Sequence, residues 1–306
     1  MQGGSGTNDG VRAKVKSGFY QSRRWYHPLA LARRLINYYL LIFVALFFLQ
    51  NSLLFPRWLS GAVMSPREAA NRAAAVGLVP WDHPAPGVTS PQGFVRPDFA
   101  GPAPRGTIVV FHGNGNCAFD REYYAEAFSR RGFRTFLYEY PGYGGRPGSP
   151  SAATIVGDAR ALIRSLDLAG YGPIYVWGES LGSGLAAAVC SDATLPVHGL
   201  TLASPWDSLT SVAAYHYPIM PVSLLLRDKY DSIGYLANFS HPVSVICGTN
   251  DPVIPIRFGF NLYDHLLGPK KLVVKDGYGH GDWPCSSELS WWDDVLNFIA
   301  PEPVKP

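Results

Sequence analysis

The chain has 306 residues, of which 47% are hydrophobic and 16% charged, and a net charge of +3. That balance excludes a largely disordered chain. Seven Lys and Arg fall within the first 34 residues against Asp9 alone, so the rest is slightly acidic and offers no basic stripe for a nucleic-acid backbone.

Residues 1–34 form a polar, basic tail carrying Arg12, Lys14, Lys16, Arg23, Arg24, Arg33 and Arg34. Leu35–Phe55, "LINYYLLIFVALFFLQNSLLF", follows as 21 residues without a charge. About 20 apolar residues in a helix span the hydrocarbon layer, so this stretch predicts a transmembrane helix, with Tyr38, Tyr39 and Trp58 as interfacial aromatics. The rivals are a buried core helix and a cleaved signal peptide. The latter needs an apolar region of about 7–15 residues and an A-x-A-like site; this run is longer and no such site follows. The positive-inside bias keeps the tail cytoplasmic and puts the rest of the chain across the membrane, in the periplasm if the source is bacterial. The bilayer is thus one expected partner.

Residues 56–104 read as linker and edge elements. "SPREAANRAAAVGL" predicts a short helix capped by Ser65, with Glu68 three residues on; edge strands are not legible here. From residue 105 to 300 the pattern is regular. "TIVVFHG", "FRTFLYEY", "GPIYVWG", "VHGLTLAS", "HPVSVICG" and "KKLVVKD" read as buried strands. Between and after them lie helical patterns: "DREYYAEAFSRRG", "SAATIVGDARALIRSLD" with Ser149 or Ser151 as cap, "LGSGLAAAVC", "IRFGFNLYDHL" and "SELSWWDDVLNFIA". Such alternation predicts an α/β fold with a mostly parallel sheet covered on both faces, its ligands at the carboxyl ends of the strands. Residues 205–240 break the alternation as an apolar, aromatic insertion, expected to cap that edge. Within it Arg227, Asp228 and Asp231 suggest an ion-pair staple rather than substrate ligands.

The strand ends carry the chemistry. Gly178-Glu179-Ser180-Leu181-Gly182 is G-x-S-x-G at a strand-to-helix turn. A nucleophilic serine needs this setting: a strained backbone that projects Oγ above the sheet, with Gly178 and Gly182 removing β-carbons from the sharp turn. The helix beginning at Leu181 aims its N-terminal N–H groups at the same point. "TIVVFHG" runs into His112-Gly113-Asn114-Gly115-Asn116, where the N–H of Asn114 is a candidate oxyanion donor beside that of Leu181. His112 better suits a loop-shaping hydrogen bond than a catalytic base. "VSVICGTND" ends in Asp251 and "KLVVKDGYGH" in His280, both turns downstream of the serine in the order Ser, acid, His. Asp251 would orient His280, and His280 would deprotonate Ser180. Asp207 in "SPWDSL" is the reserve acid.

From about residue 105 to 300 the chain resembles the α/β-hydrolase superfamily, and more narrowly the Bem46-like serine hydrolases, which include the mammalian α/β-hydrolase-domain protein 13. The resemblance rests on "FHGNGN", "YEYPGYGGRPGSPS", "GESLGSG", "LLLRDKYDS", "GTNDPVIP" and "GYGHGDW". It implies the α/β-hydrolase fold, a triad at Ser180, Asp251 and His280, and an N-terminal membrane anchor. Two departures stand out. Pro141 and Arg146 occupy the Arg and Ser positions of the family's Y-R-G-Y-G-x-S loop, and Gly281-Asp282 replaces the Asn-Asp after the histidine.

Together these features predict a membrane-anchored serine hydrolase acting on ester or thioester bonds, with small acylated substrates. A serine peptidase-like amidase and a catalytically silent interaction module on the same fold are the alternatives. No cofactor or metal is implied. Cys117, Cys190, Cys247 and Cys285 have no C-x-x-C spacing; Cys117 and Cys285, each just past a motif, could pair across the site.

Overall fold

The computed structural model describes residues 28–58, 61–83, 85–103 and 105–301; the first 27 residues of the basic tail lie outside them. The described residues divide between Gln50 and Asn51 into two units. The first holds most of a 27-residue helix, α1 (Pro28–Leu54), none of whose residues is buried. It is long and apolar enough to cross a membrane. It starts seven residues before the uncharged run and takes in Arg33 and Arg34. Its counterpart at the other end, Phe55, lies outside the helix and belongs to the core of the second unit, 2% exposed.

The second unit is built on an eight-stranded sheet of order β1-β2-β4-β3-β5-β6-β7-β8. β3 (Gly106–Phe111), β4 (Phe133–Tyr138), β5 (Ile174–Glu179), β6 (Val197–Ala203), β7 (Val243–Gly248) and β8 (Lys270–Lys275) are parallel. The two strands that the pattern left unplaced, β1 (Val79–Pro80) and β2 (Gly93–Val95), pair antiparallel at one edge. They have two and three residues, too few to show a period. β3 and β7 are buried at every position, as strands covered by helices on both faces must be. β8 closes the other edge with Lys270, Lys271 and Lys275, charges that discourage further strand addition.

The helices are α2 (Pro66–Ala75), α3 (Glu122–Ser129), α4 (Ala152–Leu168), α5 (Leu181–Cys190), α6 (Leu209–His216), α7 (Val222–Leu225), α8 (Ser232–Leu236), α9 (Ile256–His265) and α10 (Trp291–Ile299). Ser65 caps α2 by accepting from the Glu68 N–H, and Ser151, rather than Ser149, caps α4 through Thr154. α3 starts later than its periodicity predicts. Asp120 accepts from the Cys117 N–H and shapes a 3-10 turn, Ala118–Arg121, ahead of it. α10 also starts late, since the Ser287 hydroxyl reaches away to Glu126 and the Ser286 carbonyl receives the Trp292 indole. Trp292 then fills the core with Trp177, Tyr124 and Phe128. α6, α7 and α8 all fall in the insertion after β6; Asp231 caps α8 through the Gly234 N–H.

All four cysteines are free thiols, so Cys117 and Cys285 form no disulfide. Arg146 closes the loop after β4. Its guanidinium donates to Asp158 Oδ1 at 2.7 Å and to the Glu139 carbonyl at 2.8 Å, with side-chain exposures of 5% and 13% for the pair. Removing one partner of a buried pair costs about 3–5 kcal/mol, because the other charge is stranded. Arg146→Met should therefore lower the unfolding free energy of the detergent-solubilised chain, read from urea denaturation, by about that amount. Adding Asp158→Asn should recover part of the loss, and strictly additive losses would deny the coupling.

Candidate active site

The turn between β5 and α5 sets the geometry. Ser180 has φ 54° and ψ −117°, a conformation that costs a non-glycine residue roughly 1–3 kcal/mol. The surrounding packing enforces it. A β-carbon on Gly182 would strike the Phe111 carbonyl at the end of β3, and one on Gly178 would strike the Gly182 carbonyl. The Ser180 N–H donates to the Ala203 carbonyl at 2.9 Å, and the Ser183 hydroxyl reaches the same carbonyl at 2.8 Å and that of Gly178 at 3.0 Å. The turn is thus tied to both neighbouring strands while Ser180 stays half-buried and reachable.

Ser180 Oγ lies 2.8 Å from His280 Nε2, and His280 Nδ1 lies 2.7 Å from Asp251 Oδ2. A carboxylate only accepts, so Nδ1 carries the proton and donates, which leaves Nε2 to accept from the serine hydroxyl. Asp251 Oδ1 also accepts the N–H groups of Val253 and Ile254, each at 2.8 Å. Burial works to raise this carboxyl, yet the His280 hydrogen bond and the two backbone donors hold it below the ordinary aspartate value.

The acid and histidine loops are stitched to one another. The Asn250 N–H donates to the Tyr278 carbonyl at 2.8 Å, Asn250 Nδ2 to the Gly277 carbonyl at 3.1 Å, and the Gly277 N–H to Thr249 Oγ1 at 2.8 Å. Gly248 permits this approach, since a β-carbon there would overlap the Tyr278 and Gly279 carbonyls. Asp282 fastens the histidine turn through the Gly279 N–H at 2.6 Å. The reserve acid is engaged elsewhere: Asp207 accepts from Asn261 Nδ2 of α9 at 2.6 Å.

On the oxyanion side, Leu181 is the first residue of α5, so its N–H has no intrahelical acceptor. Gly113, the residue before Asn114, packs toward Ser180, with its virtual β-carbon 3.6 Å from Ser180 Cβ. Asn114 follows on an exposed turn, its carbonyl receiving the Tyr143 hydroxyl at 3.2 Å. His112 is 1% exposed, stacked on Tyr140 at 4.1 Å and 3.1 Å from Glu139 Oε1, so its ring is engaged in shaping the loop.

Sequence reasoning missed Glu179, the residue beside the serine. Its carboxylate takes Arg121 through Nε and Nη2 at 2.8–3.2 Å and the Tyr124 hydroxyl at 3.1 Å. Burial works to raise Glu179, but the Arg121 charge together with the hydrogen bonds from Arg121 and Tyr124 lowers the value. A buried carboxylate demands a partner, but 58 residues separate the two in sequence and no local pattern names Arg121. Burial pushes the Cys285 thiol up to about 11 and those of Cys190 and Cys247 up to about 12; Cys117 is raised as well. None is a thiolate nucleophile at neutral pH. Among the described residues, no three His, Cys, Asp or Glu side chains gather as a metal site.

The family model of the α/β-hydrolase fold matches residues 106–221. An uncharacterised Mycobacterium tuberculosis protein, Rv2307c, is 37% identical over 204 residues, which are 66% of this chain and 70% of that protein. The Danio rerio lysophosphatidylserine lipase ABHD12 is 28% identical over 208 residues; the match takes in 60% of this chain but only 52% of the lipase. A Pyrococcus furiosus esterase superposes with a TM-score of 0.58 over 77% of this chain and 93% of its own, at 15% identity, which is a likeness of fold.

The depressed Asp251 carboxyl sets a pH dependence. With its folded value below the unfolded one of about 3.9, its contribution to stability is complete above that value and disappears as pH falls through the folded value. The stability gap between wild type and Asp251→Asn, measured by urea denaturation, should be widest above about pH 5 and should close toward pH 2. A gap independent of pH would contradict the hydrogen-bonded carboxylate.

Proposed function

The chain belongs to the α/β-hydrolase family, and on that premise we propose that it is a membrane-anchored serine hydrolase that cleaves carboxylic ester or thioester bonds through an acyl-enzyme. The observation that carries this reading is the unbroken run from Ser180 Oγ through His280 to Asp251, at 2.8 and 2.7 Å.

In the proposed reaction Ser180 Oγ bonds to the acyl carbon as its proton passes to His280 Nε2, and Asp251 holds the imidazolium that forms. The carbonyl oxygen becomes an oxyanion facing the N–H groups of Leu181 and Asn114 at the positive end of α5. Collapse breaks the bond to the alcohol or thiol, which leaves with the proton from His280. Water then repeats the sequence, giving up a proton to His280 as its oxygen bonds to the acyl carbon, and frees the acid and Ser180. Each oxyanion donor is worth about 2.7–4 kcal/mol of barrier.

An acyl substrate is favoured by the apolar insertion that follows β6, with Val222 and Leu225 buried and Ile219 and Leu224 exposed. The relative named a lysophosphatidylserine lipase points the same way, toward acylated lipids. The unpacked α1 and the basic residues before it support an anchor with a cytoplasmic N-terminus and the hydrolase unit across the membrane. The elbow glycines and complete hydrogen-bonded run argue against a catalytically silent module.

A fluorophosphonate probe should label the wild-type chain and fail to label Ser180→Ala; labelling that survives this substitution rejects the nucleophile. Asp251→Asn should lower kcat by roughly 10⁴-fold, since the amide presents the wrong partner to Nδ1. A panel of esters and thioesters of increasing acyl length, read as kcat/KM, should favour longer acyl groups over acetyl. A reporter active only outside the cytoplasm, fused after Pro306, should be active; a silent one alongside an active cytoplasmic reporter reverses the orientation.

A further inference from the structure

We infer that Glu139 is a positioning residue for the oxyanion side of the reaction, acting through the 112–118 loop; the inference rests on the hydrolase reading above. Glu139 follows β4 directly, and its side chain is 2% exposed. Its Oε1 accepts from the Tyr140 N–H at 3.1 Å and lies 3.1 Å from His112 Nε2, while its Oε2 accepts from the Ala118 N–H at 3.0 Å. His112 opens the loop and Ala118 closes it, so one carboxylate clasps both ends. Asn114 lies between them.

The same stretch of chain fixes the middle of the loop. The Tyr140 hydroxyl donates to the His112 carbonyl, and the Tyr143 hydroxyl donates to the Asn114 carbonyl at 3.2 Å. Gly144 stands at φ +51°, so close that a β-carbon there would overlap Glu139 Oε2. The turn after β4 is thus wrapped around the carboxylate and holds it against the loop. On the loop's other side Gly113 meets the nucleophile, its virtual β-carbon 3.6 Å from Ser180 Cβ. Among its described hydrogen bonds Glu139 has none to Ser180, His280 or Asp251. Its effect on the chemistry runs through where the Asn114 N–H sits.

A carboxylate suits this place, because it presents one acceptor to each of two backbone N–H groups, Oε1 to Tyr140 and Oε2 to Ala118. A glutamine offers one oxygen and turns its NH2 toward one of those two donors, so the loop must shift. A shift of the donor weakens hydrogen bonding to the oxyanion more than to the ground-state carbonyl, and the loss falls on kcat.

The test is steady-state kinetics of the full-length, detergent-solubilised chain on one good ester and its thionoester counterpart, with binding of a trifluoromethyl ketone whose adduct with Ser180 carries an oxyanion. Glu139→Gln should lower kcat roughly 10- to 100-fold, below the full loss of one oxyanion donor, with KM within about twofold. Ketone affinity should fall in parallel with kcat. The ester-to-thionoester rate ratio should also fall, since sulfur accepts hydrogen bonds weakly and draws less on the oxyanion donors. Tyr143→Phe, which deletes one hydroxyl and keeps the ring, should move the same quantities in the same direction by about 3- to 10-fold. It decides the matter if Glu139→Gln does not fold. Wild-type kcat and ketone affinity in a folded variant overturn the inference, as does a kcat loss with an unchanged ester-to-thionoester ratio. Ser180→Ala, run alongside, separates the two levels: activity surviving there defeats the hydrolase reading itself, whereas a null result at Glu139 defeats only its positioning role.

Discussion

The structure turns on one close approach of backbone to backbone, where α5 leaves β5 beside the end of β3. No β-carbon fits at Gly178 or Gly182, and Ser180 between them is held at positive φ. The small residues of α5 let the helix lie flat on the sheet, buried along its whole length, and Gly184 makes room for the Trp206 ring. A helix so placed must point its first N–H groups at the end of β3, where the His112–Asn116 turn lies. Ser180, the first turn of α5 and the neighbouring loop come together because of that packing.

A second close approach, at Gly248, brings the acid and histidine together. β7 and β8 are adjacent in the sheet, and their loops exchange hydrogen bonds before either side chain meets the other. With the two loops joined, His280 reaches past β7 and β6 to Ser180, 100 positions away in sequence. Asp207, at the end of the intervening β6, is drawn instead to α9 by Asn261. Loop stitching, beyond nearness in the strand order, therefore decides which carboxylate meets His280.

Much of this was legible because its signals are local. Glycine spacing marks the elbow, alternation of apolar runs marks the six parallel strands, and strand ends mark where Asp251 and His280 emerge. What was illegible is non-local. β1 and β2 are too short to carry a period, and Val79, Pro80 and Gly93 become strands only by pairing. Glu139 is a buried carboxylate and Glu179 a partly buried one, and their partners come from other elements. In "YEYPGYG" the clue was available: a lone acid among aromatics at a strand end must find donors once buried. Which donors it finds, His112 and Ala118, only the fold decides. Arg146 resolves the departure from the family loop in the same way, since the position is filled by a buried latch to Asp158.

The loop after β4 joins two ends of the molecule's business. On one side it clasps the 112–118 turn through Glu139, Tyr140 and Tyr143. On the other it receives the chain entering the hydrolase unit. Asn51 donates to the Pro150 carbonyl at 2.8 Å, Arg57 to that of Gly148 at 3.2 Å, and the Gly144 N–H returns a bond to Ala62 at 3.0 Å. Phe55 is buried edge-on to Tyr140, the ring stacked on His112. Residues just past α1 therefore share packing partners with the residues that shape the oxyanion side. The two neighbours are held by different groups: tyrosine hydroxyls reach the 112–118 turn, while backbone carbonyls and the Gly144 N–H meet the entering chain.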